Sequence, residues 1–278
     1  MKKQYTTLIL LIAGILAVFV IRTILAVNFE VPRFFDLSDA LIVAGSVVIL
    51  LREHSILKPV DWLLAAGLGV MIGVEMYFAT LYSPYPFFGI IHSNFGQAWI
   101  RGGFTFLAML GGLAMMRQGG PVLFYAISHR VGRGGLGILF GLVVGLPLSI
   151  LNIFALQFSE GKTVSWQSPL AAALDALQPA IVEEVIYRFA LWGLLWMILR
   201  NSLSDKSVWI SGLLAMLIHN YSHFDDLFVQ SPLIAIGIGF VMMIFWGLPP
   251  TLLAQQKGLE SAIAFHWLQD VARFLTGF

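Results

Sequence analysis

The sequence predicts an all-α fold, a polytopic transmembrane helix bundle of about 8–9 spans, and three observations carry that reading. The 278 residues are 59% hydrophobic and 11% charged, where an ordinary soluble domain carries roughly 25% charged residues. The mean hydropathy is +0.87. Apolar runs long enough to cross roughly 30 Å of hydrocarbon recur along the whole chain, separated by short loops. Spans and loops together use the full length, so residues 1–278 are expected to form a single integral membrane domain.

The first apolar run, 7–27, follows Met1-Lys2-Lys3. It is longer than the h-region of a signal peptide and no small-residue cleavage pattern follows it, so it reads as a first span. Further spans are expected at 37–51, 60–81, 98–116, 135–158, 170–199, 208–220, 233–254 and 261–275. The segment 121–128 is too short to cross and reads as interfacial. With the N-terminus inside, Lys2, Lys3, Arg52, Lys58, Arg117, Arg130, Arg133, Arg200, Lys206 and Lys257 fall in cytoplasmic loops, against Arg33, Arg101 and Lys162 outside. That positive-inside bias is the reason to expect the N-terminus inside, and the chain is expected in the cytoplasmic (inner) membrane. The loops 83–94 and 223–231, rich in Pro, Tyr, Phe and Asp, then face outward and read as interface anchors.

Composition also excludes chemistry. A net charge of +1 and the lack of any basic run give no reason to expect a nucleic-acid partner. The chain has no cysteine, which removes disulfides, thiolate nucleophiles and thiolate metal sites together. Neither His-Glu-x-x-His nor Gly-x-Ser-x-Gly occurs. Any catalysis must use carboxylates, hydroxyls or imidazoles.

One stretch stands out against this background. Glu183-Glu184-Val185-Ile186-Tyr187-Arg188 sits inside the apolar run 170–199. A charged side chain at the centre of a span costs roughly 2.5–3.5 kcal/mol even on the insertion-based scale, so a cluster there is read first as a functional site. Glu184 and Arg188 are four apart on one helical face, in the favourable acid-then-base order, and are expected to pair. Glu183 points about 100° away from Glu184 on an ideal helix. Left unpaired in an apolar setting, its carboxyl would have a raised pKa, which suits a general base near neutral pH. Pro179 cannot donate to the carbonyl of Asp175, so a break is expected one turn upstream. His219 ends the run 212–218, while His266 and Asp270 lie one turn apart in 261–275. Two imidazoles, each on its own span, with a Glu–Glu–Arg cluster on a third, are read as one constellation.

Glu183-Glu184-x-x-x-Arg188, then His219 after an apolar helix, then His266-x-x-x-Asp270 resemble the CAAX protease and bacteriocin-processing family, which includes the type II CAAX prenyl endopeptidases. The resemblance covers about 170–275 and leaves the spans in 1–160 without a recognised motif. It implies a C-terminal catalytic core of about four helices and a glutamic-type intramembrane endopeptidase that needs neither cofactor nor metal. The implied partners are a membrane-associated peptide or protein substrate and the bilayer itself. By this resemblance Glu183 and His219 activate a water, His266 with Asp270 stabilises the oxyanion, and Glu184 and Arg188 give support. Two positions depart from the family pattern. Ala215 stands where Phe-x-x-x-His would put an aromatic residue, and Asp270 stands where Asn is usual. An ionised Asp cannot donate to an oxyanion, so Asp270 either stays protonated or holds His266 as the donor.

The alternatives are a non-proteolytic immunity or scaffold member of the same family and a proton-coupled transporter. Intramembrane Glu, His and Asp chains serve transporters too, but the paired inverted repeats of such folds are not visible. Glu75 and Arg22, also inside spans, are expected to be satisfied structurally, by each other or by backbone. His223, with Asp225 and Asp226, is expected in a solvated loop.

Overall fold

In hydrocarbon every backbone donor and acceptor must be satisfied within its own segment, which leaves long apolar segments little choice but helix. The computed structural model of the chain follows that rule. It describes residues 2–29, 31, 33–82, 85–127 and 130–278, without the side chains of residues 2–4 and 160. Ser83 and Pro84 of the loop 83–94, and Ser128 at the end of the segment 121–128, lie outside the described residues. Among the described residues there is no β-strand beyond an isolated bridge between Phe87 and Ile91.

The helices are α1 (Lys2–Asn28), α2 (Phe34–Glu53), α3 (Pro59–Phe78), α4 (Asn94–Arg117) and α5 (Val131–Glu160), followed by the short α6 (Pro169–Asp175) and α7 (Leu177–Glu183). A wide π-type turn, Glu184–Leu191, joins α7 to α8 (Trp192–Leu203). Then come α9 (Lys206–Ser222), α10 (Asp225–Gln230), α11 (Pro232–Met242), α12 (Leu248–Lys257) and α13 (Leu259–Thr276). A second wide turn, Met243–Gly247, links α11 to α12.

Among the described residues, six helical stretches are long and apolar enough to cross a membrane: Tyr5–Asn28, Phe34–Ile56, Pro59–Phe78, Asn94–Arg117, Val131–Ser159 and Pro232–Lys257. Together they make this an integral membrane protein. The expected spans 170–199, 208–220 and 261–275 are helical but are not among the six. The physical reason is that these segments carry the ionisable residues and are broken or short. They are also the inner layer: every residue from Glu184 to Gly193 is buried, whereas α1 and α5 turn most of their side chains outward. The most apolar helices form the periphery, and the least apolar ones the centre.

Small residues set the closest contacts. Gly137, Gly141 and Gly145 line the face of α5 that meets α13, and a Cβ on Gly141 would lie 2.2 Å from the carbonyl oxygen of Ser261. Such small-residue faces let helices in lipid approach backbone to backbone. On the other side, Ile42, Ile72, Leu110 and Leu113 of α2–α4 pack with Val185, Ile186 and Phe189 into one apolar core. The wide turn is therefore held between α2 and α4 on one side and α13 on the other.

Buried charges tie the periphery together. Arg117 grips Asp61 through two hydrogen bonds of 2.6 and 2.7 Å, and Arg22 pairs with Asp225 at 3.1 Å. Arg22 and Glu75 therefore do not pair with each other. Asp225 is buried rather than solvated, while both carboxylate oxygens of Glu75 lack a hydrogen-bond partner among the described residues.

Candidate active site

The break expected at Pro179 is present: α6 ends at Asp175, whose carbonyl Pro179 cannot serve, and α7 begins at Leu177. The Asp175 side chain turns back to accept the amides of Thr80 at 2.7 Å and Tyr82 at 3.3 Å. That contact anchors the segment after α3 beside the site. Immediately downstream the helix widens into the π-type turn, a distortion that often marks functional sites because it re-aims side chains. The acid pair straddles this change, with Glu183 closing α7 and Glu184 opening the turn.

The four side chains expected to carry chemistry meet in one place. His219 Nε2 lies 2.8 Å from Glu183 Oε2. His266 Nε2 lies 3.9 Å from the same oxygen and 3.3 Å from Asp270 Oδ2. Glu183 is neither unpaired nor fully buried, since it contacts His219 and its side chain keeps 18% of its exposure. His219 and Glu183 are in direct contact, with no gap between them for a water.

Glu184 and Arg188 form the expected i,i+4 pair. Glu184 does more than neutralise the arginine, because its Oε1 also meets His266 Nδ1 at 2.9 Å. The glutamate is fully buried and so joins the wide turn to α13. Asp270 is held in turn by Arg273 Nη2 at 3.0 Å. With Glu184 at Nδ1 and Asp270 near Nε2, His266 faces a carboxylate from each ring nitrogen.

Several neighbours carry no family motif. Tyr187 stacks on His219, centroids 4.4 Å apart and planes 14° from parallel. Its hydroxyl donates to Asp39 Oδ1 at 2.7 Å and lies 2.6 Å from Ser38 Oγ. Asp39 in turn accepts from Arg101 Nη1 at 2.8 Å. Phe35 sets its edge against His219 and His223, at 6.2 and 4.8 Å. The aromatic contact to His219 thus comes from Tyr187 and Phe35, while Ala215 holds the position four before it. Arg101, expected in an outer loop, lies within α4 and reaches into this network. Asp36 and Asp39 had a readable signal, two acids at the head of an apolar run, and the same argument that singled out Glu183 applies to them.

These groups surround a polar cavity of about 200 Å³, walled by Asp36, Asp39, Tyr82, Arg101, Gln178, Glu183, His266, Asp270 and Arg273. Burial pushes the Tyr82 phenol up to about 12, so it faces the cavity as a neutral hydroxyl. His219 stands behind Glu183 rather than in the wall. Four carboxylates, an imidazole and donors around a space of this size can bind a polar group and a water while the surrounding helices exclude bulk solvent.

Residues 165–272 match the family described as Type II CAAX prenyl endopeptidase Rce1-like, which bears out the resemblance carried by the three motifs. No curated protein and no solved structure matches the chain.

Proposed function

We propose, from the type II CAAX prenyl endopeptidase family that residues 165–272 match, that this chain is a glutamic-type intramembrane endopeptidase acting on a peptide or protein that enters the bilayer. The observation that carries the reading is the contact of Glu183 Oε2 with His219 Nε2 at 2.8 Å beside the polar cavity, with His266 Nε2 3.9 Å away.

In this reading Glu183 takes a proton from a cavity water as the water oxygen attacks the peptide carbonyl. His219 hydrogen-bonds the same carboxylate, orienting it and sharing the proton it gains. Charge then develops on the former carbonyl oxygen. His266 is assigned as the donor that meets it: Glu184 holds Nδ1–H at 2.9 Å, whereas the Nε2 contact with Asp270 is longer, 3.3 Å, and leaves Nε2–H to be shared with the oxyanion. Asp270, held by Arg273, acts as an ionised partner of His266 and not as the oxyanion donor. Preorganised donors of this kind count most where water is excluded. The tetrahedral intermediate collapses with cleavage of the C–N bond, and the proton on Glu183 passes to the departing amine. Water supplies the hydroxyl of the new carboxyl group, and no metal or cofactor takes part.

Glu183→Gln keeps the shape of the side chain and removes the base. Loss of a general base typically lowers rates by about 10²–10⁴. Comparison of protein termini in membranes expressing wild type and Glu183→Gln should reveal cleavage products that vanish in the variant. Identical termini in the two membranes would refute the reading.

A further inference from the structure

His223 has no part in the hydrolysis just described, yet it stands one helical turn beyond His219. Its Nε2 is 3.7 Å from Glu183 Oε2, the oxygen that His219 Nε2 meets at 2.8 Å. The ligating atoms of Glu183, His219 and His223 all lie within 4.8 Å of one another. Histidines at i and i+4 are the spacing by which one helix presents two imidazoles to a single zinc ion. Two histidines and a carboxylate also form a recognised zinc ligand set that leaves a fourth tetrahedral position open. Bonds of about 2.0–2.2 Å in tetrahedral geometry put neighbouring ligand atoms about 3.3–3.6 Å apart, and the separations of 2.8 and 3.7 Å fall on either side of that range. The His223 side chain is 46% exposed, so an ion can reach it from solvent. Phe35 packs against both rings and limits how far they can swing apart.

We propose that Glu183, His219 and His223 form a Zn²⁺ site whose occupancy switches hydrolysis off. The inhibitory part rests on the proposed roles of Glu183 and His219: an ion bound there occupies the lone pairs that would otherwise accept the water proton. The donor set selects the cation. Imidazole suits zinc and its transition-metal neighbours, whereas Mg²⁺ and Ca²⁺ prefer oxygen ligands.

The test uses the full-length protein in detergent or nanodiscs after removal of metal with a chelator. Co²⁺ is titrated in and followed by the visible absorption of its tetrahedral complexes, then displaced with Zn²⁺; Mg²⁺ serves as control. Wild type should bind one equivalent, and His223→Gln should weaken binding at least about tenfold. On a peptide carrying a cleavage site found by terminus mapping, Zn²⁺ should slow the wild type and spare His223→Gln, each rate being read against the same protein's own metal-free rate. Absence of Co²⁺ binding, or equal binding by His223→Gln, overturns the site while leaving the protease reading intact. Zn²⁺ that binds without slowing cleavage overturns the inhibitory role. Activity that disappears with chelator and returns with Zn²⁺ overturns both the switch and the metal-free mechanism. The Co²⁺ titration reads the site even if no cleavage is found.

Discussion

Glu184 has a side chain with no exposure and serves two partners, Arg188 on its own turn and His266 on α13. Removing one partner of a buried ion pair leaves an uncompensated charge, at a cost of about 3–5 kcal/mol, and that cost is paid in the free energy of the folded state. Arg188→Met should therefore lower the thermal midpoint of the purified protein measurably and loosen His266. An unchanged midpoint would mean that the pair does not brace the helix. Tyr187 is the neighbouring residue whose role is easiest to overlook. Its ring lies flat on His219 and its hydroxyl is tied to Asp39, so it links α2 to the Glu183–His219 contact beside the direct contact of Phe35.

The helices that carry the site are aligned by backbone contact, above all where α13 lies on the glycine face of α5. A methyl group at Gly141 would collide with the Ser261 carbonyl, which no rotamer change can relieve. Over-packing of this kind typically costs about 1–3 kcal/mol and shifts backbone. Gly141→Ala should push α13 outward and draw His266 and Asp270 away from Glu183. The expected result is a cleavage rate reduced by at least about tenfold, since a misplacement of 1 Å can cost 10²-fold. A fully active Gly141→Ala would show that α13 is positioned by something else. Within the 169–203 segment, the two glutamates stand where α7 meets the wide turn Glu184–Leu191 and face different partners, His219 and Arg188.

For the molecule as a whole, α2 and α4 add side chains to the site built by the segment that bears the motifs, and α5 supports it from behind. Asp39 and Arg101 wall the cavity, and α5 backs α13. The chain is accordingly expected to work as one domain. A fragment beginning at residue 165, expressed alone in membranes, should be inactive. Co-expression with a fragment ending in the loop 161–164 should restore cleavage, because the break falls outside every helix. Activity of the C-terminal fragment alone would show that the earlier spans are dispensable for catalysis.

By itself the sequence determined the helical membrane class, the near positions of most helices, and a set of candidate residues that the fold brings together. Period and hydropathy are local properties, and expensive charges stand out wherever they fall, so Glu183, Glu184, Arg188, His219, His266 and Asp270 were all legible. The Glu184–Arg188 pair was readable too, because i,i+4 neighbours meet within one helix. Tertiary structure decided what local properties cannot carry. It made Glu184 the shared partner of Arg188 and His266, supplied Tyr187 and Phe35 where Ala215 gives no aromatic ring, and brought Asp39 and Arg101 in from motif-free spans. It also brought His266 of α13 to 3.9 Å from Glu183. The reason is physical: a wide turn and a proline break change both the phase and the rise of a helix, and neighbours from other helices are chosen by packing rather than by spacing.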